Sequence, residues 1–342
     1  MSQTFMAREI AETAAVVRRQ IAANAAAVEA LAATLRERQP PFAVTIARGS
    51  SDHAALYLKY AVELRLGLVC ASLGPSIGSL YRVPLRLAGA VALAISQSGG
   101  SPDIVAMQAA AGEGGAMKIA LVNDRASQLA RDADALLPLH AGEERAVAAT
   151  KSMIASLTAG LSLIGRWSED DELTGALDRL PAILEADGGP EPDKAVEALA
   201  AAPSLFVVGR GPTFAVAAEA ALKLKETSAI HAEAYSSAEV LHGPAGIIGP
   251  GFPVLGFVPA DAARDGFFES LDRLASFGAA PFLIDIEPHP RWPTLVIPDI
   301  RHPLLTPIVA LHRFYVVAEA VARRRGRDPD QPPHLRKVTR TV

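Results

Sequence analysis

FAVTIARGSSDHAALYLKYAVEL, residues 42–64, and SLFVVGRGPTFAVAAEAALKLKE, residues 204–226, lie one over the other without a gap, with Arg48-Gly49 under Arg210-Gly211. Each stretch is a continuous apolar run, an arginine–glycine turn and then apolar residues at helical spacing. That order predicts a strand, a turn and a helix. Further apolar runs follow in both halves: LVCASL (68–73), VALAIS (91–96) and MKIALVN (117–123), then PVLGFV (253–258), PFLIDI (281–286) and TLVIPD (294–299). Continuous rather than alternating apolar strands, separated by helical patterns, predict α/β architecture with a parallel sheet covered on both faces. The repeat reads as a tandem duplication of one αβ unit. Around it, residues 1–38 read as helix closed by Pro40-Pro41, residues 146–166 as a long helix, and EADGGPEPDK (185–194) as a linker. The expected boundaries are an N-terminal helical segment at 1–39, domains at 40–184 and 195–326, and a tail at 327–342.

Composition narrows the function. The 342 residues are 50% hydrophobic and 20% charged, with a formal net charge of -4, enough chain for two ordinary cores. No basic block precedes the last twenty residues, which argues against a nucleic-acid surface. The single cysteine, Cys70, rules out an internal disulfide and suits a reducing compartment. The N-terminus mixes acids and bases every few residues, unlike a signal peptide. No run approaches the roughly 20 apolar residues of a membrane span. The reading is a soluble, cytoplasmic protein.

In VALAISQSGGSPDIVAMQAA (91–110) a buried strand ends in Ser96-Gln97-Ser98-Gly99-Gly100-Ser101, and Pro102-Asp103 open a helix. Hydroxyls, glycines and a helix N-terminus together suit an oxyanion such as phosphate. The plainer alternative is a capped turn in which the serines satisfy backbone groups. Arg48-Gly49-Ser50-Ser51 makes a second such turn, and in a parallel sheet both open at the carboxyl edge of the strands. No GxxxxGK[ST] is present, so a nucleotide P-loop is not expected.

Charge concentrates in AEAALKLKETSAIHAEAYSSAEVLHGPAG (218–246). Glu219, Lys223 and Glu226 share one helical face. They suit acid–base chemistry, or form a solvated salt-bridge ladder. His242, before Gly243-Pro244, sits on a rigid corner that can fix an imidazole able to move protons near neutrality. His231 is read as structural, and Glu233 and Glu239 as supporting partners. HExxH, paired cysteines and close His/Asp spacing are missing, so neither metal nor cofactor is expected.

ISQSGGS, RGSSDHA, ALKLKETSAIHAEAY, EVLHGPAGII and the tail LRKVTRTV resemble the sugar-isomerase (SIS) domain pair of glucosamine-6-phosphate synthase and its stand-alone relatives, the amino-sugar-6-phosphate deaminases and isomerases. The resemblance implies two tandem SIS domains, each a flavodoxin-like αβα sandwich, in a homodimer. Ser51, Ser96, Gln97, Ser98 and Ser101 match the family's sugar-phosphate cradle, and Val147 a backbone contact to the sugar. Glu226 matches the carboxylate that moves a proton between C1 and C2, and Lys223 a lysine beside the reactive end. His242 matches the ring-opening histidine, donated across subunits, and Lys337 a lysine that closes over the substrate. Gly100 stands where an acid is usual, Ala149 where a serine is usual, and Arg336 where a small residue is usual. The synthase's glutaminase domain is not expected in this chain.

The implied function is conversion of glucosamine 6-phosphate to fructose 6-phosphate and ammonia. Alternatives are ammonia-dependent synthesis of the amino sugar, another aldose–ketose isomerisation, or a sugar-phosphate sensor. The tail is expected to act as a lid, so that removing 330–342 costs turnover more than thermal stability. A serine-lined anion pocket from one half is expected to share its ligand with the acid and amine of the other.

Overall fold

The computed structural model describes residues 3–186 and 193–337. The centre of the expected linker, 187–192, and the end of the tail, 338–342, lie outside the described residues. The N-terminal helix forms as two pieces, α1 (Phe5–Ala11) and α2 (Thr13–Arg38). α2 stops at the expected place. Gln39 turns left-handed at φ 45° and donates its N–H to the Leu35 carbonyl, and Pro40 cannot prolong the helix. The chain then divides into two compact units, one of residues 12–144, 151–181 and 336–342, the other of residues 1–11, 145–150 and 182–335.

In the unit containing residues 12–144, five strands form a wholly parallel sheet in the order β2-β1-β3-β4-β5. They are β1 (Ala43–Ile46), β2 (Cys70–Ser72), β3 (Val91–Ser96), β4 (Met117–Val122) and β5 (Ala135–Pro138). The strand β5 was not expected: ALLP is short and ends in proline, which an edge strand tolerates. The helices are α3 (Ser50–Leu66), α4 (Pro102–Glu113), α5 (Gln128–Arg131), α6 (Lys151–Trp167) and the start of α7 (Asp171–Ala186). Side chains alternate across the sheet. Val44, Ile46, Ala92, Ala94, Ala120 and Val122 pack with Ile104, Met107 and Ala111 of α4 and Leu129 of α5. Their odd-numbered neighbours Ala43, Leu93, Ile95 and Leu121 are buried too, on the face that α3 and α6 cover. Burial on both faces explains why these strands read as unbroken apolar runs.

The second unit repeats the plan. After α8 (Asp193–Ala201) come β6 (Ser204–Gly209), α9 (Pro212–Ser228), β7 (His231–Ser236), β8 (Phe252–Phe257), α10 (Arg264–Ser276), β9 (Ala279–Asp285), β10 (Thr294–Val296) and α11 (Thr306–Arg324). Its sheet runs β7-β6-β8-β9-β10, also wholly parallel. Both sheets thus have the 2-1-3-4-5 order of flavodoxin-like folds. The superimposed turns agree in detail. Gly49 adopts φ 57°, ψ -134° and Gly211 φ 57°, ψ -133°, a conformation that glycine alone takes without strain.

Two expectations change. HAEAYS forms the edge strand β7, paired along β6, although its charges gave no strand signal. The long helix expected at 146–166 starts at Lys151 instead. The reason is where the backbone donors of the preceding loop go. The Glu9 carboxylate accepts the N–H groups of Arg145 and Ala146, and the Asp330 carbonyl accepts that of Val147 at 3.1 Å. Bonds to distant partners hold this loop out of the helix.

Candidate active site

Ser51, Ser96, Gln97, Ser98 and Ser101 all fall in the unit containing residues 12–144. Ser51 lies in the first turn of α3, just past β1, and Ser96 ends β3, which pairs with β1. α3 and α4 then leave toward opposite faces of the sheet. The two turns therefore flank the switch point of the strand order, where open α/β sheets take ligands. Ser96 Oγ accepts the Gly99 N–H at 2.9 Å and Ser98 Oγ the Gly100 N–H at 3.4 Å. Gly99 has φ 61°, and a methyl group there would stand 2.2 Å from Ser127 Oγ. No other residue fits. The Leu129 N–H holds the Gly99 carbonyl at 3.2 Å from behind. Ser101 is the extended N-cap of α4, with Pro102 in first position, but its hydroxyl makes no capping bond. The turn is thus preformed by Ser96 and Gly99, while the Ser101 hydroxyl is not used up on the helix.

Lys223, Glu226 and His242 belong to the other unit. The structure brings the first two together. Lys223 Nζ donates to Glu226 Oε2 at 2.5 Å and lies 3.4 Å from Glu219 Oε1. The lysine and Glu219 side chains have no exposed surface, whereas Glu226 keeps 20%. Tyr315 Oη, from α11, donates to Glu219 at 3.2 Å. Burial by itself would depress the lysine, but the two carboxylates outweigh it and raise its pKa above the ordinary value. Lys223 is therefore a fixed cation, not a free amine. The salt-bridge reading was half right: the trio is paired but not solvated. Glu219, the orienting partner, shares the helical face and was not put among the site residues.

His242 follows a 3-10 turn, Glu239–Leu241, with its side chain exposed and its N–H bonded to the Glu239 carbonyl at 2.9 Å. His231 is 73% exposed at the start of β7, 3.9 Å from Glu233. Val147 donates its N–H to the Asp330 carbonyl at 3.1 Å. Lys337, in the unit of residues 12–144, donates to Glu144 Oε2 at 2.9 Å. The Glu144 carboxylate is wholly buried and also takes the Ser152 hydroxyl at 2.6 Å and its N–H at 3.1 Å. Burial would raise this carboxyl, yet Lys337 and Ser152 together pull it below its usual range. Glu144 was missed because its tail partner is remote in sequence and nothing local marks it. The Asp330 carboxylate likewise accepts the N–H groups of Phe5 and Met6 at 2.7 and 2.8 Å, capping α1.

Comparison with known proteins agrees with this architecture. The SIS domain family model matches residues 39–166 and 198–290. The chain belongs to the SIS domain family. A crystal structure from Silicibacter pomeroyi DSS-3, of a candidate phosphosugar isomerase, is 49% identical with a TM-score of 0.89, covering 96% of this chain and all of that one. The C-terminal domain of glucosamine-fructose-6-phosphate aminotransferase from Francisella tularensis is 27% identical with a TM-score of 0.86, over 97% of this chain and 99% of that domain. The glutamine–fructose-6-phosphate aminotransferase [isomerizing] of Zymomonas mobilis is 32% identical over 97% of this SIS chain, which spans 58% of that protein's length. A glucosamine-6-phosphate deaminase from Thermotoga maritima, at 18% identity and a TM-score of 0.77 over 99% of this chain and all of that one, shares the fold.

Proposed function

We propose that this SIS chain is an enzyme of phosphosugar isomerisation, and specifically an amino-sugar-6-phosphate deaminase/isomerase. Relatives that match it along its length, an isomerising aminotransferase and a candidate phosphosugar isomerase, support the general class. The observation that carries the finer reading is the Lys223–Glu226 pair, a cation fixed by burial against a carboxylate that remains partly open. A base beside a permanent positive charge suits removal of a proton next to a carbon–nitrogen or carbon–oxygen double bond, where the electrons move onto the heteroatom.

In this reading the Ser51 and Ser96–Ser101 turns hold the 6-phosphate, supplying binding energy remote from the reacting carbons. His242, from a second copy of the chain, opens the pyranose; its exposure in its own chain supports that role. Glu226 takes the C2 proton of the open amino sugar and returns it to C1. Lys223 stabilises the negative charge that develops in between. The ketimine so formed adds water and loses ammonia, leaving fructose 6-phosphate. Cys70, the single cysteine, is buried, and burial and then Glu63 push its thiol up to about 12, so it takes no part in the chemistry proposed.

Ammonia release from glucosamine 6-phosphate, galactosamine 6-phosphate and unphosphorylated glucosamine tests the reading. Release from a phosphorylated hexosamine and not from glucosamine is expected. Tight phosphosugar binding without release from either ester would replace the enzyme with a sensor.

A further inference from the structure

The turn after β1 carries a charge that the cradle described above does not use. Arg48 lies between β1 and the Gly49 turn, at the switch point, and its Nε forms an ion pair with Asp103 in the first turn of α4. The Asp103 side chain is wholly buried, while Arg48 remains 48% exposed. Asp103 Oδ1 also accepts its neighbour's N–H, from Ile104, at 2.9 Å. The guanidinium is thus tied by one edge to the helix that follows the serine turn, with about half of the side chain exposed. It also acts on α3: burial holds Asp52, in the first turn of that helix, above its usual value, against a smaller opposing pull from His53 and Arg48. One cation therefore stands between the two helix N-termini that flank the crevice.

The internal repeat provides a control. Arg210 occupies the equivalent place before Gly211, in a turn of the same backbone geometry. Among the described residues the Arg210 side chain has no ion-pair partner. Where the serine–glycine run follows β3, the second half has VPADAA (258–263) after β8. The turn therefore folds without an arginine–carboxylate pair, and the pair occurs in the half that carries the hydroxyls.

We propose that Arg48 is a phosphate-binding residue, oriented by Asp103 so that the free edge of its guanidinium meets the phosphate monoester dianion of the substrate beside Ser96–Ser101. The inference rests on the cradle reading given under Proposed function and adds a charge to it. Arginine suits the task because its planar fork stays charged and can hold a carboxylate with one edge and a phosphate oxygen with another.

The test is binding of inorganic phosphate and of fructose 6-phosphate, by calorimetry at two ionic strengths, to the wild type, Arg48→Gln, Arg48→Lys and Ser98→Ala. Loss of a charge-assisted bond to an anion predicts that Arg48→Gln weakens both ligands about 10- to 100-fold. Its salt dependence should be shallower than wild type, and in turnover KM should rise with kcat within about threefold. A purely structural arginine would lower thermal stability without changing the salt dependence. Where Arg48→Gln does not fold, Arg48→Lys keeps a charge against Asp103 and should still lose at least about threefold, since a lysine cannot serve both anions at once. Phosphate affinity within twofold of wild type in whichever variant folds, with Ser98→Ala weakened, overturns the role of Arg48 and leaves the cradle standing. Unchanged affinity in Ser98→Ala as well overturns the cradle.

Discussion

An ammonium with no exposed surface, Lys223 lies between the Glu219 and Glu226 carboxylates, and that burial sets its behaviour on both sides of neutrality. Its raised pKa means that the folded state holds the proton more tightly than the unfolded chain does. The stability this contributes is complete below the unfolded value, 10.5, and is lost as pH rises through the higher folded value. Thermal unfolding followed from pH 8 to pH 12 should therefore show a decline that begins above about pH 10.5. Lys223→Met should remove that part of the decline and lower stability by about 3–5 kcal/mol, because it takes the cation from between two carboxylates, one of them wholly buried. An alkaline profile identical in variant and wild type would contradict the assignment. Cys70 gives a second check at this scale: with its thiol pushed up to about 12, the native protein should resist iodoacetamide at pH 8 and react only when unfolded. The sequence announced the acid–lysine–acid face through its helical spacing. It could not announce that Tyr315 and the packing of α11 would exclude water from it.

At the scale of elements, the loop 144–150 and the tail explain each other. The Asp330 carboxylate caps α1, its carbonyl holds the Val147 N–H, and Glu9 of α1 holds Arg145 and Ala146. Farther along, Lys337 is paired with Glu144. A truncation from residue 330 therefore removes a helix cap as well as a lysine, and should cost stability in addition to turnover. Asp330→Ala alone should cost about 0.5–2 kcal/mol through the lost cap, and should raise KM through the loosened Val147 carbonyl. Lys337→Ala should reduce turnover and also lower Tm, because it takes the cation away from the buried Glu144 carboxylate. Full activity in Lys337→Ala would remove the lid. None of this was legible, since every bond joins segments far apart in the chain and each residue looks like ordinary surface charge. The strands that follow apolar runs were legible. β7 was not, because an edge strand need bury only part of its surface and HAEAYS buries little.

At the scale of the whole molecule, one αβ plan has been used twice, with different residues at the matching places of the two copies. The first copy has the hydroxyl–glycine turn after its third strand, and its first helix carries Tyr57, Ala61 and Leu64 in register with Glu219, Lys223 and Glu226. The second copy lost the turn and carries the charges. The duplication could be read because a strand, a turn glycine and a helix leave a local pattern, and Gly49 and Gly211 share one conformation. The roles proposed for each copy came from the family resemblance together with the motifs, because hydroxyls in a turn and a carboxylate on a helix leave no periodicity. The central proposal is that Glu226 moves the proton of a hexosamine phosphate. It is tested most directly by the turnover of Glu226→Gln on glucosamine 6-phosphate, with the Kd for fructose 6-phosphate measured on the same preparation. The account predicts a fall in kcat of roughly 10²- to 10⁴-fold, with the Kd changed by no more than a few-fold. Turnover close to wild type in a variant that still binds the ketose phosphate would contradict it.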